Sequence, residues 1–144
     1  MIGRWHLPTS FGVKLSESFA KYGQLCVGID PHAALLSDWG LTDDVQGLES
    51  FANAVLDSAV GRVGIIKPQV SFFERHGSRG FAVLERLAER AAQTDLLVIM
   101  DAKRGDIGTT MEAYYDAWLG VNAPFISDAL TVSPYLGFDS LKPT

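Results

Sequence analysis

The residues best placed for chemistry lie in Asp101-Ala-Lys-Arg-Gly-Asp106, directly after the apolar run Leu96-Leu-Val-Ile-Met100. The run reads as a buried strand, which puts the charges of Asp101, Lys103 and Asp106 at its end. Asp101 and Lys103 are two apart, so on a strand they point to the same face. Asp106 follows Gly105, where the chain can turn; it should project away from that face. A buried aspartate beside a buried lysine is costly unless the two charges are paired. Such groupings at strand mouths are where catalytic groups tend to be found, but they also serve as plain structural ion pairs, and this stretch alone leaves both readings open.

The elements that must position these residues can be read from period and punctuation. Phe11, Leu15, Phe19 and Tyr22 share one face of a helix over 11–21, with Ser10 as its cap and Gly23 as its stop. Leu25 to Asp30 forms a first strand ended by Pro31, which has no N–H to continue a ladder. Residues 33–47 read as a loop with at most a short helical turn. Leu48, Phe51, Ala52, Val55 and Ala59 then recur at helical spacing, Gly61 closes that helix, and Val63 to Lys67 is a second strand. Phe81, Leu84, Leu87, Ala88 and Ala91 mark an amphipathic helix. Leu96 to Lys103 is the third strand. Thr109-Thr-Met-Glu112 has the Thr-x-x-Glu capping-box pattern and opens a helix carrying Met111, Tyr114, Tyr115, Trp118 and Leu119, ended by Gly120. Phe125 to Val132 is a fourth strand, interrupted by Ser127 and Asp128. Met1 to Pro8 has no period, and residues 1–9 read as a loose leader.

Strands alternating with helices imply βαβ units and a parallel α/β sheet, and near-continuous apolar strands agree with burial on both faces. Period alone does not separate a doubly wound sheet from a (β/α)8 barrel. No Gly-x-Gly-x-x-Gly follows the first strand, so a dinucleotide fold lacks its main support. Asp30, Lys67, Asp101, Lys103 and Ser133 all fall at C-terminal ends of strands, where both architectures keep their sites.

Composition narrows the function classes. With 144 residues, 47% hydrophobic and 20% charged, the chain is an ordinary globular sequence with enough length for one domain and its core. A net charge of -5 and no basic patch argue against nucleic acid as partner, while a small anionic substrate stays open because local charge outweighs the total. Cys26 is the single cysteine, so no internal disulfide forms, and no Cys/His cluster suggests a metal. His6, His32 and His76 have neither metal nor triad spacing and read as surface or loop residues. No signal-peptide pattern opens the chain, and no apolar run approaches the roughly 20 residues that span a membrane; the expected compartment is the cytoplasm.

Taken together, the motifs resemble the orotidine 5'-phosphate decarboxylase family. Asp-Ala-Lys-Arg-Gly-Asp-Ile, from Asp101, is similar to that family's Asp-x-Lys-x-x-Asp signature. Leu25-Cys-Val-Gly-Ile-Asp-Pro-His32, Ile65-Ile-Lys-Pro-Gln-Val-Ser-Phe-Phe-Glu74 and Thr131-Val-Ser-Pro-Tyr-Leu-Gly137 resemble its first, second and fourth strands, most closely in the actinobacterial branch. The likeness runs from about Phe11 to Pro143. It implies a (β/α)8 TIM barrel of which residues 1–144, as one domain, supply roughly the first four βα units. A barrel typically needs ≈250 residues, so the resemblance implies that these residues are an N-terminal half, with two open sheet edges. The family's phosphate grip, a glutamine and an arginine from the last strands' loops, is expected outside it.

The resemblance implies decarboxylation of orotidine 5'-monophosphate to UMP, without cofactor or metal, in a homodimer with shared active sites. Asp101 would lie against the departing carboxylate, Lys103 would deliver the proton, and Lys67 and Asp106 would complete a Lys-Asp-Lys-Asp array, Asp106 coming from the other subunit. Asp30 would bind ribose hydroxyls, Lys67 the substrate and Ser133 the pyrimidine; Thr110 would reach a neighbouring site. Each has a plainer role: Asp30 capping the turn at Pro31, Lys67 snorkelling at a strand end, Thr109 and Thr110 capping a helix, Ser133 ending a strand. Gln69 and Glu74 also lie near the second strand's end and receive no role. Two other readings remain: a Mg2+-dependent phosphosugar lyase sharing the Asp-x-Lys-x-x-Asp strand, against which the Lys67 cation speaks, and a non-catalytic fragment that only folds or pairs with a partner half.

Overall fold

The computed structural model describes residues 10–142; the expected leader and His6 lie outside them. The elements, in order, are α1 (Phe11–Tyr22), β1 (Cys26–Ile29), α2 (Ala33–Asp38), α3 (Val45–Ala59), β2 (Ile65–Pro68), α4 (Val70–Glu74), α5 (Gly77–Ala91), β3 (Leu97–Arg104), α6 (Gly108–Trp118), β4 (Ala129–Val132) and a short 3-10 turn, Phe138–Leu141. The strands form one parallel sheet in the order β1-β2-β3-β4. β1 and β4 are its edges, each with one neighbour among the described residues.

The two faces of the sheet differ. Ile29, Ile66, Val98 and Met100 pack against Leu36, Leu48, Phe51, Leu56, Val83, Leu84 and Leu87 of the helices, forming the core. On the opposite face, Cys26 pairs with Ile65 and Gly28 with Lys67. α1 lies at the N-terminal end of that second face: the Lys14 ammonium bonds Asp128 at 2.9 Å, and Tyr22 donates to Asp95. The C-terminal end stays open, and there the charged residues gather. Cys26, expected inside an apolar strand, is exposed, because it sits on an edge strand and faces away from the helices.

Several expectations are corrected by the structure. Residues 33–47 are not mainly loop: α2 occupies six of them, and Asp44 starts α3 by accepting from the Gln46 and Gly47 N–H groups at 2.9 Å. α4 was not anticipated; five residues are too short to show a period. The capping box does not form. α6 begins at Gly108, whose φ of 53° turns the chain into the helix, so Thr109 lies inside the first turn; Ile107 occupies the cap position with no side-chain hydrogen bond. β4 spans only Ala129–Val132. Phe125 stacks on Trp118 with centroids 4.5 Å apart instead of extending the strand.

Candidate active site

At the C-terminal mouth of the sheet, β2 and β3 place Lys67 and Asp101 side by side, with Lys67 Nζ 2.9 Å from Asp101 Oδ2. Lys103 Nζ reaches the other oxygen, Oδ1, at 2.6 Å. Thr131 of β4 donates its hydroxyl to the same Oδ1 at 2.8 Å. One carboxylate thus receives three donors from three adjacent strands, and its side chain is 11% exposed. Burial alone would push the Asp101 carboxyl up, but the hydrogen bonds from Lys103, Lys67 and Thr131 outweigh it and hold the group at about 2. Burial pulls Lys67 down, but Asp101, with Asp30 farther off, more than offsets this and raises it. Partial desolvation pushes the Cys26 thiol up, opposed by the Lys67 charge.

Asp101 and Lys103 do meet, though not through strand alternation. The β3–β4 register shifts between Met100 and Arg104, and Lys103 has a φ of 52°, the single non-glycine residue with positive φ among the described residues. Such a conformation is uncommon outside glycine and persists where the surroundings over-determine it, often at active sites. Lys103 is held there on both sides. Its N–H donates to Thr131 Oγ1 at 3.0 Å, and its ammonium also donates to Gln69 Oε1 at 3.0 Å. Next to it, the Arg104 guanidinium turns to the helical side, where it pairs with Glu74 at 3.2 Å and lies over the Tyr114 and Trp118 rings.

Of the other expected site residues, Asp30 and Ser133 lie near this cluster, and Asp106 and Thr110 do not join it. Asp30 follows β1 on the face of Gly28 and Lys67, its carboxylate folded back over Gly28. Ser133 is exposed beyond β4 and ties the mouth together by donating its N–H to the Arg104 carbonyl at 2.7 Å. Asp106 does not join the Asp101 cluster; its Oδ1 accepts from the Ile107 N–H at 2.8 Å. Thr110 also stands apart, in a groove between α5 and α6 lined by Phe81, Tyr114, Trp118 and Phe125. Of the histidines, His32 caps α2, its Nδ1 accepting from Leu35 N–H at 3.2 Å. His76 is half-buried, with Nε2 lacking a partner among the described residues, so it is not a plain surface residue. Sequence reasoning missed Thr131 and gave Gln69 and Glu74 no role. The available signal was the position of Gln69 and Thr131 near the ends of β2 and β4, the two strands that flank β3.

Comparison with known proteins fits this picture. The model of the orotidine 5'-phosphate decarboxylase / HUMPS family matches residues 23–144. The orotidine 5'-phosphate decarboxylase of Streptomyces coelicolor is 58% identical over 133 residues, covering 92% of this chain and 48% of that protein. The one from Nocardioides sp. is 57% identical over 133 residues, covering 92% and 49%. A crystal structure from Streptomyces avermitilis, provisionally assigned to the same decarboxylase, superposes with a TM-score of 0.92 at 54% identity, covering 98% of this chain and 50% of that one. The Leishmania donovani OMP decarboxylase gives a TM-score of 0.69 at 33% identity, covering 92% and 48%. The chain therefore spans about half the length of the relatives it matches. Its parallel sheet and alternating helices are the first βα units of a TIM barrel.

Proposed function

This chain belongs to the orotidine 5'-phosphate decarboxylase / HUMPS family, and on that premise we propose that its protein converts orotidine 5'-monophosphate to UMP and CO2 at the Asp101 cluster. The observation that carries this reading is one ionised carboxylate held between two ammonium groups at the mouth of the sheet. A structural ion pair needs only one lysine. The second, Lys103, keeps a largely exposed ammonium at the mouth, suited to an anionic substrate and to negative charge that develops during reaction.

Breaking the bond between C6 and the carboxylate leaves an electron pair on the pyrimidine. Asp101 lies against the substrate carboxylate, and their like-charge contact is relieved as CO2 departs. The Lys103 ammonium stabilises the developing carbanion and gives its proton to C6, yielding UMP; solvent then reprotonates the lysine. Lys67 keeps Asp101 ionised and oriented. Asp30 accepts from the ribose hydroxyls, and Ser133 bonds the pyrimidine. Asp106, whose carboxylate bonds the Ile107 N–H, and Thr110, which lines the groove between α5 and α6, act in the site of a second subunit of a homodimer. Residues 1–144 form part of one barrel domain. The protein works in the cytoplasm on a nucleotide substrate; no helix among the described residues is long and apolar enough to cross a membrane.

The test is an assay of the complete protein carrying this chain with orotidine 5'-monophosphate. UMP and CO2 should form in equal amounts, with or without EDTA. A folded preparation that makes no UMP would sink the proposal. Turnover abolished by EDTA would favour the Mg2+-dependent lyase reading, in which the Lys67 ammonium, 2.9 Å from Asp101, would stand where a cation is needed.

A further inference from the structure

We infer that Thr131 is a positioning residue of this site, its single hydroxyl locking the Asp101 carboxylate and the Lys103 backbone into one arrangement. The inference rests on the decarboxylase reading above. Thr131 Oγ1 donates to Asp101 Oδ1 at 2.8 Å and accepts from the Lys103 N–H at 3.0 Å. A hydroxyl has one proton and two lone pairs, so it can make both bonds at once. Its β-branched side chain is stiff at χ1, which limits where the oxygen can go.

The position of these bonds makes the hydroxyl important. Lys103 adopts a left-handed backbone where the β3–β4 register shifts, so the regular ladder does not set its geometry. The bond from its N–H to Thr131 ties that backbone to the neighbouring strand. The bond from Thr131 to Asp101 fixes the oxygen that also receives the Lys103 ammonium at 2.6 Å. Thr131 therefore sets the relation between carboxylate and ammonium from both ends while it remains behind the two groups that meet substrate.

The groups facing Asp101 are Lys67 from β2, Lys103 from β3 and Thr131 from β4; Asp30 after β1 faces Lys67, and Gln69 holds Lys103. Removing the hydroxyl takes away one of the donors that keep the Asp101 carboxyl low. A structural role would be felt as stability alone. A positioning role should move the titration of Asp101 and turnover together.

The experiment compares Thr131→Val and Thr131→Ser in the complete protein. Thr131→Val should displace the Asp101 carboxyl titration, followed by carbon-13 NMR, to higher pH. Its kcat should fall about 10- to 100-fold, the scale of a misplacement near 1 Å, with a smaller change in KM. Thr131→Ser should recover most of both. Wild-type kcat together with an unmoved Asp101 titration in the valine variant overturns the inference, as does a serine variant no better than valine. If valine unfolds the protein, the wild-type Lys103 amide decides: its bond to Thr131 predicts slow hydrogen exchange, and exchange at the solvent rate refutes the role. A wild type that folds but makes no UMP would remove the decarboxylase reading, while the titration and exchange would still report on the Thr131 bonds.

Discussion

Lys67 and Lys103 hold opposite oxygens of one carboxylate: Lys67 Nζ lies 2.9 Å from Asp101 Oδ2, and Lys103 Nζ lies 2.6 Å from Oδ1. The lysines come from different strands, so their separation is set by the β2–β3 spacing and by the backbone turn at Lys103. That turn brings the more exposed of the two ammoniums to the open side. In the proposed reaction it is the mobile proton donor, while Lys67 serves as the fixed counter-charge.

Lys103→Ala should leave the fold intact, because the Lys103 side chain is mostly exposed. It removes both the proposed proton donor and the more exposed positive charge of the pair. General acid catalysis alone contributes about 10²–10⁴-fold, so kcat of the complete protein should drop by at least that much while the protein still melts in one cooperative transition, at a temperature lowered only by the loss of one of the bonds to Asp101. Steady-state kinetics beside a thermal melt checks this; near-normal kcat in the variant would sink the assignment.

Asp101 makes stability depend on pH with a definite sign. Its carboxyl is lowered from 3.8 to about 2 in the folded chain, so the folded state binds this proton less readily than the unfolded state. The contribution is fully present above the unfolded value and is lost as pH falls from about 4 towards 2. Urea midpoints should therefore decline across that window in the wild type. Asp101→Asn should flatten this part of the profile and, by leaving two ammoniums facing each other, cost about 1–3 kcal/mol at neutral pH. An unchanged acid slope in the variant would show that Asp101 is not the group responsible.

Gly105→Ala should open the mouth without altering any charge. A Cβ at Gly105 would sit 2.5 Å from the Ser133 carbonyl oxygen. That atom belongs to the backbone and cannot swing aside, so the ends of β3 and β4 must part. The Ser133 N–H bond to Arg104, now 2.7 Å, should weaken. We expect about 1–3 kcal/mol of destabilisation and about a 10- to 100-fold loss in kcat. A melt and a rate assay report both, and wild-type turnover would mean that the mouth has room to spare.

Trp118→Ala should be among the most damaging outer-layer changes. The ring is 2% exposed, stacks on Phe125 at 4.5 Å and lies under the Arg104 guanidinium at 5.6 Å. Truncating it should cost about 3–5 kcal/mol, read as a lower denaturant midpoint at unchanged slope. A loss below about 1 kcal/mol would show that the α5–α6 layer closes over the cavity.

The alternation of strands and helices was legible in the sequence because burial leaves a local trace. Leu84, Leu87, Ala88 and Ala91 repeat at helical spacing, and α5 buries all of them. The apolar run before Asp101 announced a buried strand, and the charges at its end announced the mouth. The partners were not legible in the same way. Which residue meets Asp101 depends on register between strands about thirty residues apart, as in Lys67 with Asp101 and Thr131 with Asp101. A local period carries no register, so Thr131 stayed hidden and Gln69 had no visible role. The left-handed Lys103 was hidden for the same reason: nothing in Asp-Ala-Lys-Arg marks a bulge, and the conformation is held by hydrogen bonds from neighbouring strands. The sequence alone determined which elements form and which ends carry charge; the tertiary structure decided which side chains touch, because contacts between distant strands exist only once the sheet has assembled.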